Sequence, residues 1–253
     1  MIADDQTLPE DIRIFTTTPD GPTVETSDMV VSYPGLERRA LPGKAPLANT
    51  ISVHLHQFLR QNGISTHFAA RSGPQAQAVF ETVQLPFDLM VRNLATGDLV
   101  SEFGLQQGHQ LIPPLVEFFV RPDSLDKRPT RVSENHLLAF NLIDPEDIGG
   151  VVDLALRIND LLTGAFFGIG VQLEDIRMEF GAHFIEGSPL PVIMLVSELS
   201  PDVICLQDMD SGDILDHRIA FVGSGDGLRG YSEIMRRFHL DSASAVLERQ
   251  KTP

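Results

Sequence analysis

The sequence predicts an α+β fold with a β-rich first half and a mixed second half. Short β-prone runs, separated by proline and glycine, fill much of residues 1–46 and 64–120. Apolar residues then recur at helical spacing from Ile148 to Phe167. Two apolar runs that end in acidic residues follow this helix, as expected for two strands of one hairpin-like unit.

The first half is predicted to hold several strands and one helix. A strand is expected over 23–31, and Pro34-Gly35 is typical of a turn. The helix is expected over 52–62, with Asn49 as its cap and Asn62-Gly63 as its end. Further strands are predicted at 79–85, at 89–93, from 99 onward and at 115–120, and a long polar loop at 121–136.

The second half is predicted to begin with the longest helix. Asp144 is placed to cap it, and the acids of its first turn suit the helix dipole. Strands are expected at about 171–180 and 190–199, and one or two helices at about 231–250.

Composition limits the class of partner. The 253 residues carry a formal net charge of −16, so the chain is repelled by nucleic acids and by anionic membranes. One cysteine, Cys205, and an acidic N-terminus without a secretory pattern predict a reducing cytoplasm.

The two acid-bearing strands carry most of the functional information. With a period of two, Asp175, Arg177 and Glu179 share one face of the first strand, and Ile176 and Met178 point to the core with Phe180. A solvated face with cross-strand ion pairs explains this row. A cleft in which the acids hold a divalent metal beside a phosphate explains it equally well.

Eight short segments, in one order, resemble a known family. They lie at 43–49, 63–68, 85–97, 110–114, 158–162, 175–181, 198–202 and 215–216. The chain resembles the SAICAR synthetase family of purine biosynthesis, whose members join aspartate to a carboxyaminoimidazole ribotide with ATP. The resemblance implies a two-lobed fold with ATP in the cleft, a β-rich lobe over 1–88 and an α+β lobe over 89–253.

The resemblance also implies roles for individual residues. Catalytic roles fall on Asp175, Arg177 and Glu179, and Glu179 also becomes a magnesium ligand. Substrate binding falls on Arg92, Glu198 and Asp202, and nucleotide binding on Lys44 and Arg121. ATP and Mg²⁺ are the implied cofactors, a nucleotide-like small molecule is the implied substrate, and a homodimer is the implied assembly.

Several residues depart from the family pattern. The Gly-Lys-x-Lys motif that contacts phosphates is missing, and Arg13-Ile14-Phe15 stand near its place. Ser197 replaces a metal-binding acid, Asp98 replaces a small hydroxyl residue that contacts phosphate, and Ile204-Cys205 replace a Ser-Arg pair. Two functions therefore remain open: a divergent ligase, and a non-catalytic paralogue that binds or regulates.

Overall fold

The computed structural model describes residues 13–32, 37–121, 128–222 and 226–241. The predicted turn at Pro34-Gly35 and the later part of the predicted C-terminal helix lie outside these ranges. Among the described residues, no helix combines the length and the apolar character needed to cross a membrane.

A small antiparallel sheet opens the fold. Its spatial order is β1-β2-β6-β5, formed by β1 (Arg13–Thr18), β2 (Gly21–Thr26), β5 (Phe68–Arg71) and β6 (Ala76–Val79). A separate pair joins β3 (Met29–Val31) to β4 (Arg38–Ala40). The strand predicted at 23–31 is therefore two strands. The break falls at Asp28, whose carboxylate accepts hydrogen bonds from the backbone of Gly43 and Ala45, at the start of the next helix.

Helix α1 spans Lys44–Gln61 and begins eight residues before the predicted start at 52. Asp28 provides the capping carboxylate from outside the helix, and Pro46 is tolerated in the first turn, where its missing N–H is not needed. Asn49 is not the cap. It lies buried inside the helix and donates to the carbonyl oxygens of Gly73 and Pro74.

The larger antiparallel sheet has the order β11-β10-β7-β8-β9, and β12 pairs with β10. Its strands are β7 (Val83–Leu94), β8 (Gln110–Val120), β9 (Thr130–Val132), β10 (Val171–His183), β11 (Val192–Leu195) and β12 (Ile204–Asp208). Strands β10 and β11 pair directly, with Phe180 opposite Leu195. The predicted hairpin-like unit of two acid-bearing strands is thus present.

Two local predictions in this region are wrong. Residues 98–103 form helix α2 (Asp98–Phe103) rather than a strand, because Gly97 turns the chain with φ 53° and Leu99 alone is buried. The predicted loop at 121–136 contains β9 and the start of helix α3 (Glu134–Ala139), although residues 122–127 lie outside the described ranges.

Helix α4 (Pro145–Phe167) confirms the longest predicted helix, with Asp144 at its N-cap position. It packs on β10 and β7, where Ile158, Leu162 and Phe166 are fully buried. A 3₁₀ turn (His217–Phe221) and helix α5 (Arg229–Arg237) follow the sheet, and α5 packs against α1. The last strand of the small sheet ends at Val79, and β7 of the larger sheet begins at Val83. The boundary between two lobes, expected between residues 88 and 89, stays a prediction.

Candidate active site

One face of the larger sheet is lined with charged side chains from two neighbouring strands. Across β10 and β7, Glu179 lies opposite Asp88, and Asp175 lies opposite Arg92. Arg177 lies between the two acids on β10. We call these five residues the charged face. The opposite face of β10 carries apolar side chains that are completely buried in the core: Ile176, Met178 and Phe180.

The charged face has two ends, because Glu179 lies four positions after Asp175 along β10. At a strand rise of about 3.3 Å per residue, the ends lie about 13 Å apart. We call the end with Glu179 and Asp88 the near end, because it adjoins the cleft described below. The end with Asp175 and Arg92 is the far end.

At the near end, the Glu179 side chain is held by residues from two other strands, β1 and β7. Arg13 Nη2 of β1 donates to Glu179 Oε2 at 2.7 Å, and its Nη1 donates to the Val196 carbonyl at 2.6 Å. The amide of Gln84 donates to the same oxygen of Glu179. Burial alone would raise the pKa of Glu179, but the guanidinium of Arg13, followed by that of Arg177, outweighs burial and lowers it.

The pKa of Asp88 shifts in the opposite direction from that of Glu179. Burial, followed by the neighbouring negative charge of Glu179, raises the pKa of Asp88 to about 6. Arg121 Nε lies 3.0 Å from Asp88 Oδ1, yet the two atoms are not aligned as a hydrogen bond, and neither of them has another hydrogen-bond partner. A buried carboxylate oxygen without an aligned donor is suited to accept a cation.

The near end fits Mg²⁺ as a site with two carboxylates. Mg²⁺ is commonly bound through one or two carboxylates together with substrate phosphates and water, and Asp88 and Glu179 offer that number. Among the described residues, no cluster of three or more His, Cys, Asp or Glu side chains is arranged to hold a metal by itself. Oxygens from a bound ligand would therefore complete the coordination.

Ser197 occupies the position where the resemblance predicts a metal-binding acid. Its hydroxyl accepts a hydrogen bond from the Glu179 backbone N–H and lies 3.4 Å from the Glu179 carbonyl oxygen. The side chain is almost fully buried. Ser197 therefore fixes the backbone that carries Glu179 and does not add a third carboxylate.

A cleft of about 310 Å³ adjoins the near end. One wall is the β1–β2 hairpin and the other is the chain that connects β6 to β7. The lining residues include Phe15, Thr17, Thr23, Phe80, Thr82 and Gln84. Phe15 is half exposed, and the Arg13 guanidinium stacks 5.2 Å from its ring centroid. Aromatic, hydroxyl and backbone groups together suit a planar polar ring such as a nucleobase.

At the far end, Arg92 is surrounded by acids. Its Nε donates to Glu117 Oε2 at 2.6 Å, and its Nη2 lies 2.8 Å from Asp98 Oδ1. Asp175 also faces Arg92 across the strands. Burial raises the pKa of Asp175 even though Arg92 opposes that shift. Cys205 of β12 lies opposite Asp175, and the Thr96 hydroxyl donates to Asp175 Oδ2 at 3.4 Å.

The remaining predicted site residues form a second, sealed cluster behind the sheet. Lys44 Nζ lies 2.7 Å from Asp202 Oδ2 and donates to the Met29 carbonyl, and neither side chain of the ion pair is exposed. The Tyr231 hydroxyl donates to Asp202 Oδ1 at 2.6 Å. Glu198 accepts from the Ser200 hydroxyl at 2.7 Å. Burial, followed by the nearby charge of Asp202, raises the pKa of Glu198 to about 7.

The structure thus brings some of the predicted residues together and separates others. Asp175, Arg177, Glu179 and Arg92 share the charged face, and Arg121 joins its near end through Asp88. The second group, Lys44, Glu198 and Asp202, lies in the sealed cluster. The roles assigned to all eight residues stay predictions.

Sequence reasoning missed Asp88 and Arg13. The period of two on β7 places Asp88 on the same face as Arg92, so a check of that strand would have found it. Arg13 stood near the missing lysine motif but gave no local signal, because its partner Glu179 lies 166 residues away in the chain.

Comparison with known proteins decides the family. The model of the SAICAR synthetase family matches residues 12–219, most of the chain. The chain belongs to the SAICAR synthetase family. A phosphoribosylaminoimidazole-succinocarboxamide synthase from Brucella ovis is 35% identical over 210 residues, which cover 83% of this chain and 81% of that protein. The corresponding synthase A from Bradyrhizobium diazoefficiens shows the same identity and coverage.

Solved structures agree with the family match. The crystal structure of the synthase from Ehrlichia chaffeensis aligns with a TM-score of 0.83 at 26% identity, over 94% of this chain and 98% of that one. A SAICAR synthetase in complex with ADP aligns with a TM-score of 0.80 at 26% identity, over 89% of this chain and 94% of that one. The predicted resemblance and the predicted α+β, SAICAR synthetase-like fold are confirmed.

Proposed function

We propose that this chain is an ATP-dependent ligase of the SAICAR synthetase type, which joins aspartate to a carboxylated aminoimidazole ribotide or a related acceptor. The observation that carries the proposal is the near end of the charged face. Two carboxylates, Asp88 and Glu179, pair beside a cleft that is large enough for part of a nucleotide. The ADP complex of a family relative supports the same assignment.

In this proposal, the nucleotide base lies between the β1–β2 hairpin and the β6–β7 connection. Arg13 and Arg121 take the place of the missing lysine motif, because both guanidiniums already face the carboxylates of the near end. Arginine binds phosphate oxygens with two parallel hydrogen bonds, so it can replace lysine as a phosphate-binding residue. Lys44 acts indirectly, since its ammonium is sealed against Asp202.

Mg²⁺ is proposed to bind at Asp88 and Glu179, and when bound it neutralises charge that develops on a transferring phosphoryl group. Arg177, between the acids on β10, would orient the carboxylate that is activated. Arg92 is kept as a substrate-binding residue. Asp202 and Glu198 would act on the substrate only indirectly, because both lie in the sealed cluster. Asp175 would act by holding Arg92 in place.

The alternative is a non-catalytic paralogue that binds or regulates. Ser197 and the missing lysines motivate this alternative, but the paired carboxylates and the neighbouring arginines favour the ligase. A cytoplasmic location, in line with the single cysteine Cys205, and a homodimer, implied by the family resemblance, complete the proposal.

Nucleotide binding and ADP release test the proposal. Thermal unfolding of the full chain is measured with and without millimolar ATP and Mg²⁺, and ADP release is then followed with aspartate and the ribotide. We expect stabilisation by ATP with Mg²⁺, because a ligand that binds the folded state alone shifts unfolding by mass action. Glu179→Gln should abolish the part of this stabilisation that depends on Mg²⁺. Glu186→Gln, at an exposed acid outside the site, is the matched control.

No stabilisation of the wild-type chain by ATP with Mg²⁺ would overturn the ligase proposal. Stabilisation by ATP without ADP release from any acceptor would favour the non-catalytic paralogue.

A further inference from the structure

The two ends of the charged face differ in their balance of charge. At the near end, three arginines surround two carboxylates: Arg13, Arg121 and Arg177 stand against Asp88 and Glu179. Among the described residues that act on these two acids, arginines outnumber carboxylates by one. The near end therefore suits an anionic ligand group better than the far end does.

At the far end the surplus is negative. Arg92 contacts Glu117 and Asp98, and Arg131 contacts Glu117 at 3.0 Å and also contacts Glu102. Two guanidiniums are therefore shared among three carboxylates. Asp175, which faces Arg92 across the strands, adds a fourth. In this set of described residues, four acids against two arginines leave a formal charge of −2.

Asp98 is the central residue of this arrangement. One of its oxygens lies 2.8 Å from Arg92 Nη2, and the other lies 3.6 Å from Arg131 Nη1. One carboxylate thus spans two guanidiniums, as a phosphate or carboxylate group of a ligand would. Its side chain remains 23% exposed, so it lies at the surface that a ligand would approach.

We propose that Asp98 is a built-in anion that occupies the arginines of the far end, so that the acceptor is a nucleoside-like molecule without a phosphate there. This inference rests on the proposed ligase function and narrows its substrate class. A ligand lying along the charged face places its anionic part at the near end. Its neutral or cationic part then lies beside Asp98, because a second anion would meet unneutralised negative charge.

Binding of a matched pair of compounds tests the inference. Aminoimidazole carboxamide riboside and its monophosphate differ in the phosphate alone, and calorimetry gives their affinities for the full chain. We expect the wild type to bind the riboside about tenfold or more tightly than the monophosphate. Asp98→Ser should shift that ratio toward the monophosphate by about tenfold or more, with riboside affinity unchanged within about twofold.

Two further variants separate charge from folding. Asp98→Asn keeps the shape of the side chain and removes its charge, so it should shift the ratio in the same direction. Glu102→Gln removes a more exposed acid of the same helix that contacts Arg131 and leaves the contact between Arg92 and Asp98 in place. It should shift the ratio by less than about threefold, as expected for an exposed ion pair. Circular dichroism confirms that each variant is folded.

Three results would overturn the inference: tighter binding of the monophosphate by the wild type, an unchanged ratio in both Asp98 variants, or no binding of either compound by a chain that binds ATP with Mg²⁺. Failure of the ligase proposal is recognised separately, by the absence of stabilisation by ATP with Mg²⁺. If that stabilisation is absent while the riboside preference and its response to Asp98→Ser are observed, the ligase proposal fails and the role of Asp98 stands.

Discussion

The near and far ends of the charged face lie on the same two strands and use the same residue types, yet they are assembled differently. Glu179 has one partner inside the larger sheet, Gln84 on β7, but its charged partner Arg13 reaches the near end from β1, outside that sheet. Partners of Arg92 at the far end come from α2 and β8, the next elements along the chain. The far end is therefore complete once the larger sheet folds, whereas the near end also depends on how the smaller sheet sits against it.

The strongest test of this difference compares one acid from each end. Glu179→Gln removes the charge that is proposed to hold Mg²⁺, so we expect ADP release to fall about a hundredfold or more. Asp175→Asn should cost about tenfold or less, because Asp175 contacts Arg92, Thr96 and Cys205 and not the cleft. Equal losses in the two variants, both folded by circular dichroism, would contradict the division into two ends.

The sealed cluster differs from both ends because its charged groups are buried away from solvent. Their protonation therefore changes the free energy of unfolding. Burial and Asp202 raise the pKa of Glu198 from 4.5 to about 7. The folded chain thus keeps a proton that the unfolded chain releases between these values, so this group makes stability fall as pH rises from 4.5 to about 7. Glu198→Gln removes that dependence.

We expect the free energy of unfolding of Glu198→Gln, relative to wild type, to rise by about 1–3 kcal/mol across that interval and to stay level above it. Urea unfolding at a series of pH values measures this difference. Asp88, whose pKa is raised in the same direction, is present in both proteins and cancels. A difference that stays constant with pH would show that Glu198 does not titrate in this range.

A smaller effect, on ATP binding, is expected when an arginine of either end is replaced. Arg13→Gln should weaken ATP binding by about tenfold, because it removes a guanidinium from the near end. Arg131→Gln should change ATP binding by less than about twofold, since all the ion pairs described for Arg131 join it to acids of the far end. Calorimetry at two salt concentrations checks both, and a comparable loss in the two variants would remove the distinction between the ends.

Much of this arrangement could be predicted from the sequence, and the failures have identifiable causes. Period-two alternation placed Asp175, Arg177 and Glu179 on one face, because alternation depends on the strand alone. The early start of α1 could not be predicted, because its cap is Asp28, which lies sixteen positions before the helix begins at Lys44. The helix at 98–103 was missed because Leu99 continues an apolar pattern that Gly97 interrupts.

The candidate site shows the same limit more clearly. Glu198 and Asp202 follow the second acid-bearing strand, yet their carboxylates face Ser200 and Lys44 rather than Glu179. Whether an acid serves a cleft or a buried ion pair depends on side chains that are distant in sequence. Residues such as Arg13 and Tyr231 become visible only when the chain is folded.

The contact between Arg13 and Glu179 also has a mechanical consequence. One guanidinium, anchored on β1, bridges to Glu179 on β10 and to the carbonyl that follows β11. If the hairpin swings outward to admit a bulky molecule, this bridge must stretch, and Glu179 loses a cation at the same moment. Any opening of the cleft at the β1–β2 hairpin would therefore also free the Glu179 carboxylate from Arg13.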